Sequence, residues 1–199
     1  LRQSITGFLA TMGETVPKQR LGLRKTVVLI GMMGAGKTAV GKALATRLGA
    51  DLRDSDAEIV ESAQLSIAEI FDRFGEPFFR EKETQVIARL LRGAPCVLST
   101  GGGAWLAPEN RALLTDAAAV LWLQADLDLL WQRVRHKTTR PLLRTDDPKA
   151  TLTELLHART PVYELAPLSV HVQPGWSIDQ TADHVMTELM QAGAIGSVK

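Results

Sequence analysis

Two hydrophobic rhythms alternate along this chain. Short, nearly all-apolar runs are separated by longer segments in which apolar residues return every three to four positions, the signatures of buried strand and amphipathic helix. The run Thr26-Val27-Val28-Leu29-Ile30 is β-branched and predicts a strand over 25–30. Behind it Val40, Ala43, Leu44 and Leu48 share one helical face, with Lys42 and Arg47 opposite and Gly49 as terminator, which predicts a helix over 37–48. The same reading predicts strands near 51–53 and at 96–99, 118–123 and 168–172. Helices are predicted at 55–63, 66–74, 77–92, about 108–115, about 126–134 and about 149–165. A last helix carries the stripe Ile178, Ala182, Val185, Met186 and Leu189. Strand followed by helix, with no internal repeat, predicts an α/β fold. Its central parallel sheet of about five strands lies between helical layers, and ligands bind at the strand carboxyl ends.

Those carboxyl ends carry the chemistry. Directly after the first strand, Gly31-Met32-Met33-Gly34-Ala35-Gly36-Lys37-Thr38 fits G-x-x-x-x-G-K-[ST]. Polyphosphate is approached there by backbone N–H groups, which a side chain at Gly34 or Gly36 would obstruct. Lys37 is expected near the β and γ phosphates and Thr38 on the Mg²⁺ that bridges them, with the amino end of the following helix aimed at the anion. Gly34, Ala35, Gly36, Lys37, Thr38 and Ala39 are therefore the expected nucleotide site. Met32 and Met33 read as packing residues.

Three further segments define the other half of the site. Asp54 and Asp56 follow the short second strand, where one carboxylate suits Mg²⁺ and the other suits accepting a hydroxyl proton; capping of the next helix is the competing reading for either. Arg80 has Glu83 one turn further on, so the guanidinium is either preorganised for a carboxylate ligand or engaged in an ordinary surface pair. Gly101-Gly102-Gly103 exceeds what a turn requires and points to close backbone approach to a ligand.

These residues, together with Arg140-Pro141-Leu142-Leu143 and Arg159 in Ala158-Arg159-Thr160-Pro161-Val162-Tyr163, resemble the shikimate kinases from about Lys25 to about Glu188. The resemblance implies a P-loop, nucleoside-monophosphate-kinase-like three-layer domain with a mobile lid at about 135–148. The implied reaction is ATP-dependent phosphorylation of the shikimate 3-hydroxyl in aromatic amino-acid biosynthesis. In that family the residue matching Asp56 binds the substrate hydroxyls and is the favoured base, while the match to Asp54 organises Mg²⁺. The matches to Arg80 and Arg159 grip the substrate carboxylate, the glycine triplet contacts the ring, Arg140 reaches the transferring phosphoryl group from the lid, and Arg133 lies on the adenine side.

Composition narrows the class. With 199 residues the chain is long enough for one buried core. The expected division is a polar leader over 1–24, disordered or a single helix, and one domain over 25–199. The balance of 23 basic against 22 acidic residues argues against a protein that coats nucleic acid or an anionic membrane. The basic stretch Arg133, Arg135, His136, Lys137, Arg140 and Arg144 lacks the interleaved aromatics of a nucleic-acid platform and reads as a lid closing over ATP. A lone Cys96 in an apolar run suits a reducing compartment, and no signal peptide or membrane span is expected, so the chain is placed in the cytoplasm. The expected partners are Mg²⁺, ATP and shikimate, with neither nucleic acid nor membrane, and the chain is expected to be a monomer. Trp122 and Trp131 read as packing residues, Trp105 as a pocket residue, and Trp176 as lying near adenine. The rival readings are another small-metabolite kinase, such as a gluconate kinase, and a noncatalytic nucleotide-binding regulator.

Overall fold

The structure is a computed structural model that describes residues 21–136 and 141–197. Its strands are β1 (Leu21–Leu23), β2 (Thr26–Ile30), β3 (Leu52–Asp54), β4 (Val97–Ser99), β5 (Ala118–Gln124), β6 (Leu168–His171) and β7 (Ile195–Ser197). Its α-helices are α1 (Lys37–Leu48), α2 (Ser55–Ala63), α3 (Ile67–Leu91), α4 (Pro108–Ala117), α5 (Leu127–Val134), α6 (Pro148–Tyr163) and α7 (Ile178–Gln191). The main sheet has five strands in the order β3-β4-β2-β5-β6, and every pairing is parallel. This is the layered α/β architecture that the alternating rhythms predict.

All five residues of β2 are buried, because parallel strands in mid-sheet are covered on both faces. Val28 stands in register with Leu98 on one side and Val120 on the other, and all three are fully buried. Leu44 of α1, Leu130 of α5 and Val185 of α7 close over the same core, each buried aliphatic contributing about 1.5–3 kcal/mol against exposure. From β2 the chain crosses outward to β3, returns to β4, and then passes to the far side as β5. The carboxyl ends of β2, β3 and β4 thus lie side by side at the reversal of strand order, where α/β sheets form their binding crevices.

Local chemistry sets the helix ends. Gly49 adopts a left-handed φ of 59° and donates its N–H to Thr46 O, while Ala50 N–H reaches Ala45 O, closing α1. Ser66 and Glu69 form a reciprocal capping box at the start of α3. The predicted helices at 66–74 and 77–92 are one element broken at Gly75 (φ 78°, ψ 173°), two residues before Pro77.

Two expectations change. Leu21–Leu23, placed by sequence in the leader, pairs antiparallel with Ile195–Ser197, so the folded unit includes residues before Lys25; residues 1–20 lie outside those described. Of the predicted α7 stripe Ala182, Val185 and Leu189 are buried and Met186 packs partly buried against the core, with Thr181 joining them, whereas Ile178 is 51% exposed in the helix's first turn.

Candidate active site

The loop between β2 and α1 is a left-handed-rich turn, with φ of 137° at Gly31, 87° at Gly34 and 105° at Gly36. Lys37 folds back into it, its Nζ donating to Gly31 O at 2.8 Å and Met32 O at 3.2 Å. From α5, Arg133 Nη1 donates to Gly34 O and Ala35 O, both at 3.2 Å, and burial holds its pKa below the ordinary guanidinium value. A Cβ on Gly34 would stand 2.8 Å from Val134 Cγ1. Packing against α5 therefore demands glycine there as firmly as phosphate access does.

A cavity of about 460 Å³ opens at this loop. All of Gly34, Ala35, Gly36, Lys37, Thr38 and Ala39 line it, and its wall continues through Asp54, Asp56, Thr100, Gly101 and Gly102. Arg133 and Trp176 also face it. Trp176 stacks on His184 at 4.0 Å between centroids and 7° between planes.

The two aspartates occupy different structural positions. Asp54 ends β3 and caps α2, its Oδ1 accepting from the N–H of Asp56 at 3.0 Å and of Ala57 at 3.3 Å. Asp56 lies in the first turn of α2 rather than on the strand, where the helix dipole favours a negative charge. Both still face the cavity because β3 delivers α2 directly to its rim.

Arg80 is held on two sides. Its Nη1 donates to Glu83 Oε2 at 2.9 Å, while Nε and Nη2 reach Glu76 Oε1 at 3.1 and 3.0 Å. Its Cζ lies 5.3 Å from the centroid of the buried Phe79 ring. Burial lowers the Arg80 pKa, but the hydrogen bonds and charges of Glu83 and Glu76 outweigh it and leave the guanidinium raised. For Glu83 burial dominates and pushes the carboxyl up, with Arg80 pulling it partly back.

The glycine triplet brings the pieces together. A Cβ on Gly101 would lie 2.7 Å from Asp56 Oδ1, and one on Gly103 would lie 2.7 Å from Arg80 Nη1. One on Gly102 would lie 3.4 Å from Arg159 Nη1. None of the three glycines has a positive φ, so close approach rather than turn geometry explains them. The neighbours are the side chains of the candidate site, an arrangement that spacing alone did not reveal. Gly103, Arg80 and Arg159 do not line the large cavity itself; they stand where the triplet continues beyond it.

Arg140 lies outside the described residues. Trp105 does not line the pocket: it is 1% exposed and donates Nε1–H to Val162 O at 2.8 Å, bracing the turn after Gly103 against α6. Sequence reasoning did not assign Ser99, Thr100, Ile178 or Thr181 to the site, yet all four line the cavity, although Ile178 is expected in the core stripe of its helix. The available signal was the polar pair Ser99-Thr100 between a buried strand and the glycines. Cys96 is buried, and burial raises its thiol pKa, as befits a structural thiol.

Among the described residues no cluster of three or more His, Cys, Asp or Glu forms a metal cage. The oxygen donors Thr38, Asp54 and Asp56 lining this cavity fit instead an ion such as Mg²⁺, which takes one or two protein oxygens and otherwise uses waters and phosphates. No helix among the described residues is long and apolar enough to cross a membrane.

A phosphate loop at the switch point of a parallel sheet, sharing its cavity with the carboxylate of Asp56 while the guanidiniums of Arg80 and Arg159 stand beside the adjoining glycine triplet, defines a P-loop phosphotransferase. Residues 33–191 match the family described as SKI: Shikimate kinase. The chain is 58% identical over 176 residues to the shikimate kinase of Ruegeria pomeroyi, covering 88% of this chain and 90% of that one. A shikimate kinase from Acinetobacter baumannii, solved in complex with shikimate, superposes with a TM-score of 0.79 at 36% identity, over 84% of this chain and 94% of that one. A gluconokinase from Sinorhizobium meliloti 1021 shares the fold alone, with a TM-score of 0.59 at 18% identity over 86% of this chain and 94% of that one. The chain belongs to the shikimate kinase family.

Proposed function

We propose that this chain transfers the γ-phosphoryl group of ATP to the 3-hydroxyl of shikimate, giving shikimate 3-phosphate and ADP. The observation that carries this reading is the glycine triplet, which places Asp56, Arg159 and Arg80 along three consecutive residues at one end of the P-loop cavity.

Each side chain then has a task its chemistry suits. Arg80 and Arg159 bind the acceptor carboxylate, Arg80 as a fork held by Glu83. Gly101, Gly102 and Gly103 let the ring lie against backbone. Asp56 orients the 3-hydroxyl and takes its proton as the oxygen forms its bond to the γ-phosphorus and the bond from phosphorus to the β-γ bridging oxygen breaks. Lys37 stabilises the charge on the phosphoryl oxygens and on the departing ADP, with Arg140 joining it from a lid at about 135–148. Arg133, already on the loop carbonyls, borders the nucleotide. Thr38 and Asp54 are the residues that would hold a Mg²⁺ ion arriving with ATP, which when bound would neutralise phosphate charge.

The wider reading is a cytoplasmic, monomeric enzyme with ATP and shikimate as partners and a single catalytic domain over 25–199 joined by β1. The buried lone thiol suits a reducing compartment, and the near-neutral charge suits small-molecule partners rather than nucleic acid. A gluconate kinase would have no use for the Arg80, glycine-triplet and Arg159 set, and a noncatalytic nucleotide-binding regulator, which would keep Lys37 and Thr38 to hold the nucleotide, would have no use for Asp56 in the same cavity.

The test is a coupled assay of ADP release with Mg·ATP and shikimate, quinate, gluconate or no acceptor. Stimulation by shikimate alone is expected, and a rate equal to the no-acceptor control would sink the reading. In the same assay Arg159→Ala is expected to raise the KM for shikimate, with a normal KM excluding its carboxylate role.

A further inference from the structure

Tyr163 ends α6 one turn after Arg159, so the two side chains share a helix face. It is fully buried, and its ring stacks on Trp122 of β5 at 5.8 Å and 26°. The phenol donates its single proton to Gly102 O at 2.6 Å. Met32 Sδ, at the start of the P-loop, lies 4.0 Å from the Tyr163 hydroxyl oxygen. A Cβ on Gly102 would find Arg159 Nη1 at 3.4 Å and Tyr163 Oη at 3.7 Å. The hydroxyl thus sits among the middle glycine of the triplet, the guanidinium beside it and the phosphate loop.

A buried tyrosine needs some acceptor for its O–H, and any loop carbonyl would serve. Here the acceptor belongs to the peptide between the glycines facing Asp56 and Arg80. The bond is short, and the ring that aims it is clamped by Trp122. Burial raises the phenol's pKa, with Arg159 opposing through charge and hydrogen bonding, so it remains a donor at neutral pH.

We propose that Tyr163 is a positioning residue for the acceptor half of the reaction: its hydroxyl sets the Gly102 peptide and the Arg159 guanidinium in one fixed relation, ready for the substrate carboxylate and ring. This rests on the shikimate reading above. Tyr163→Phe keeps the ring stack and leaves the Gly102 carbonyl without its donor. The expected result is a KM for shikimate raised about tenfold, with the KM for ATP unchanged and kcat lowered less than the shikimate KM is raised. A normal shikimate KM in the folded variant overturns the proposal, as does an equal rise in both KM values, which marks general loosening.

Tyr163 is the chain's single tyrosine, which supplies a second measurement if the variant does not fold. Biosynthetic replacement by 3-fluorotyrosine gives one ¹⁹F resonance, expected to shift on saturation with shikimate. A resonance unmoved at saturating shikimate also overturns the proposal. If the wild-type enzyme shows no shikimate-dependent ADP release, the functional reading fails instead, so the two failures are distinguishable.

Discussion

Glu83, only 1% exposed, accepts from Arg80 Nη1 at 2.9 Å, and the same guanidinium nitrogen is the nearest atom to a Cβ built on Gly103. A buried carboxylate one helical turn away therefore aims this cation at the glycine backbone. An exposed i, i+3 pair would contribute about 0–1 kcal/mol and fix little. With one partner buried the pair acts as an anchor, because a Glu83 carboxylate without Arg80 would be an uncompensated interior charge.

Arg80→Lys tests the anchor. An ammonium cannot span Glu83, Glu76 and a substrate carboxylate as the planar fork does. The KM for shikimate should rise by about tenfold or more while the KM for ATP holds. Steady-state kinetics with each substrate varied in turn decides it, and an unchanged shikimate KM would remove Arg80 from the acceptor site.

Alanine at the two ends of the glycine triplet should produce different defects. Neither Gly101 nor Gly103 uses a positive φ, so the backbone accepts the change and the strain falls on the facing side chain. Gly101→Ala pushes Asp56 from its place and should chiefly lower kcat, whereas Gly103→Ala displaces Arg80 and should chiefly raise the shikimate KM. A shift of about 1 Å at a reacting group is enough to cost about a hundredfold in rate. Identical kinetic defects in the two variants would contradict this assignment.

The buried Glu83 also leaves a mark on stability. Its folded pKa is raised above the ordinary 4.5, first by burial. Its contribution is therefore complete below that value and is lost as pH rises through the raised folded pKa. Glu83→Gln abolishes this titration. The thermal midpoint of wild type minus that of the variant should shrink between about pH 4 and about pH 8. A difference that widens with rising pH would mean that Glu83 ionises more readily in the folded protein than in the unfolded chain.

Much of this site was legible because it is written in local patterns. Gly34 to Thr38 follow a β-branched strand, and their helix runs over Lys37–Leu48 as the periodicity predicts. Arg80 and Glu83 meet because helical spacing makes them neighbours. Features that depend on distant chain segments were not legible. The three-residue strands Leu21–Leu23 and Ile195–Ser197 carry too little pattern to announce themselves and exist only as a pair. Trp105 follows the glycines in sequence, yet it turns inward because Val162 on α6 offers its indole an acceptor. The triplet has its close neighbours at Asp56, Arg80 and Arg159, delivered by three different helices, and no local rule states that convergence.

Lys37 gives the last prediction. Its ammonium bonds to the carbonyls of Gly31 and Met32, so the charge is carried inside the loop at the cavity wall. A cation fixed there before substrate arrives needs little reorganisation when negative charge moves onto the β-γ bridging oxygen, and its effect is greatest in the transition state. Lys37→Ala should therefore lower kcat by about a hundredfold to a thousandfold while the KM for shikimate stays near normal, since no acceptor contact is lost. Single-turnover measurement of shikimate-dependent ADP formation separates this from slow product release. Near-normal phosphoryl transfer in that variant would mean that the loop backbone and the remaining cations stabilise the reacting phosphates without Lys37.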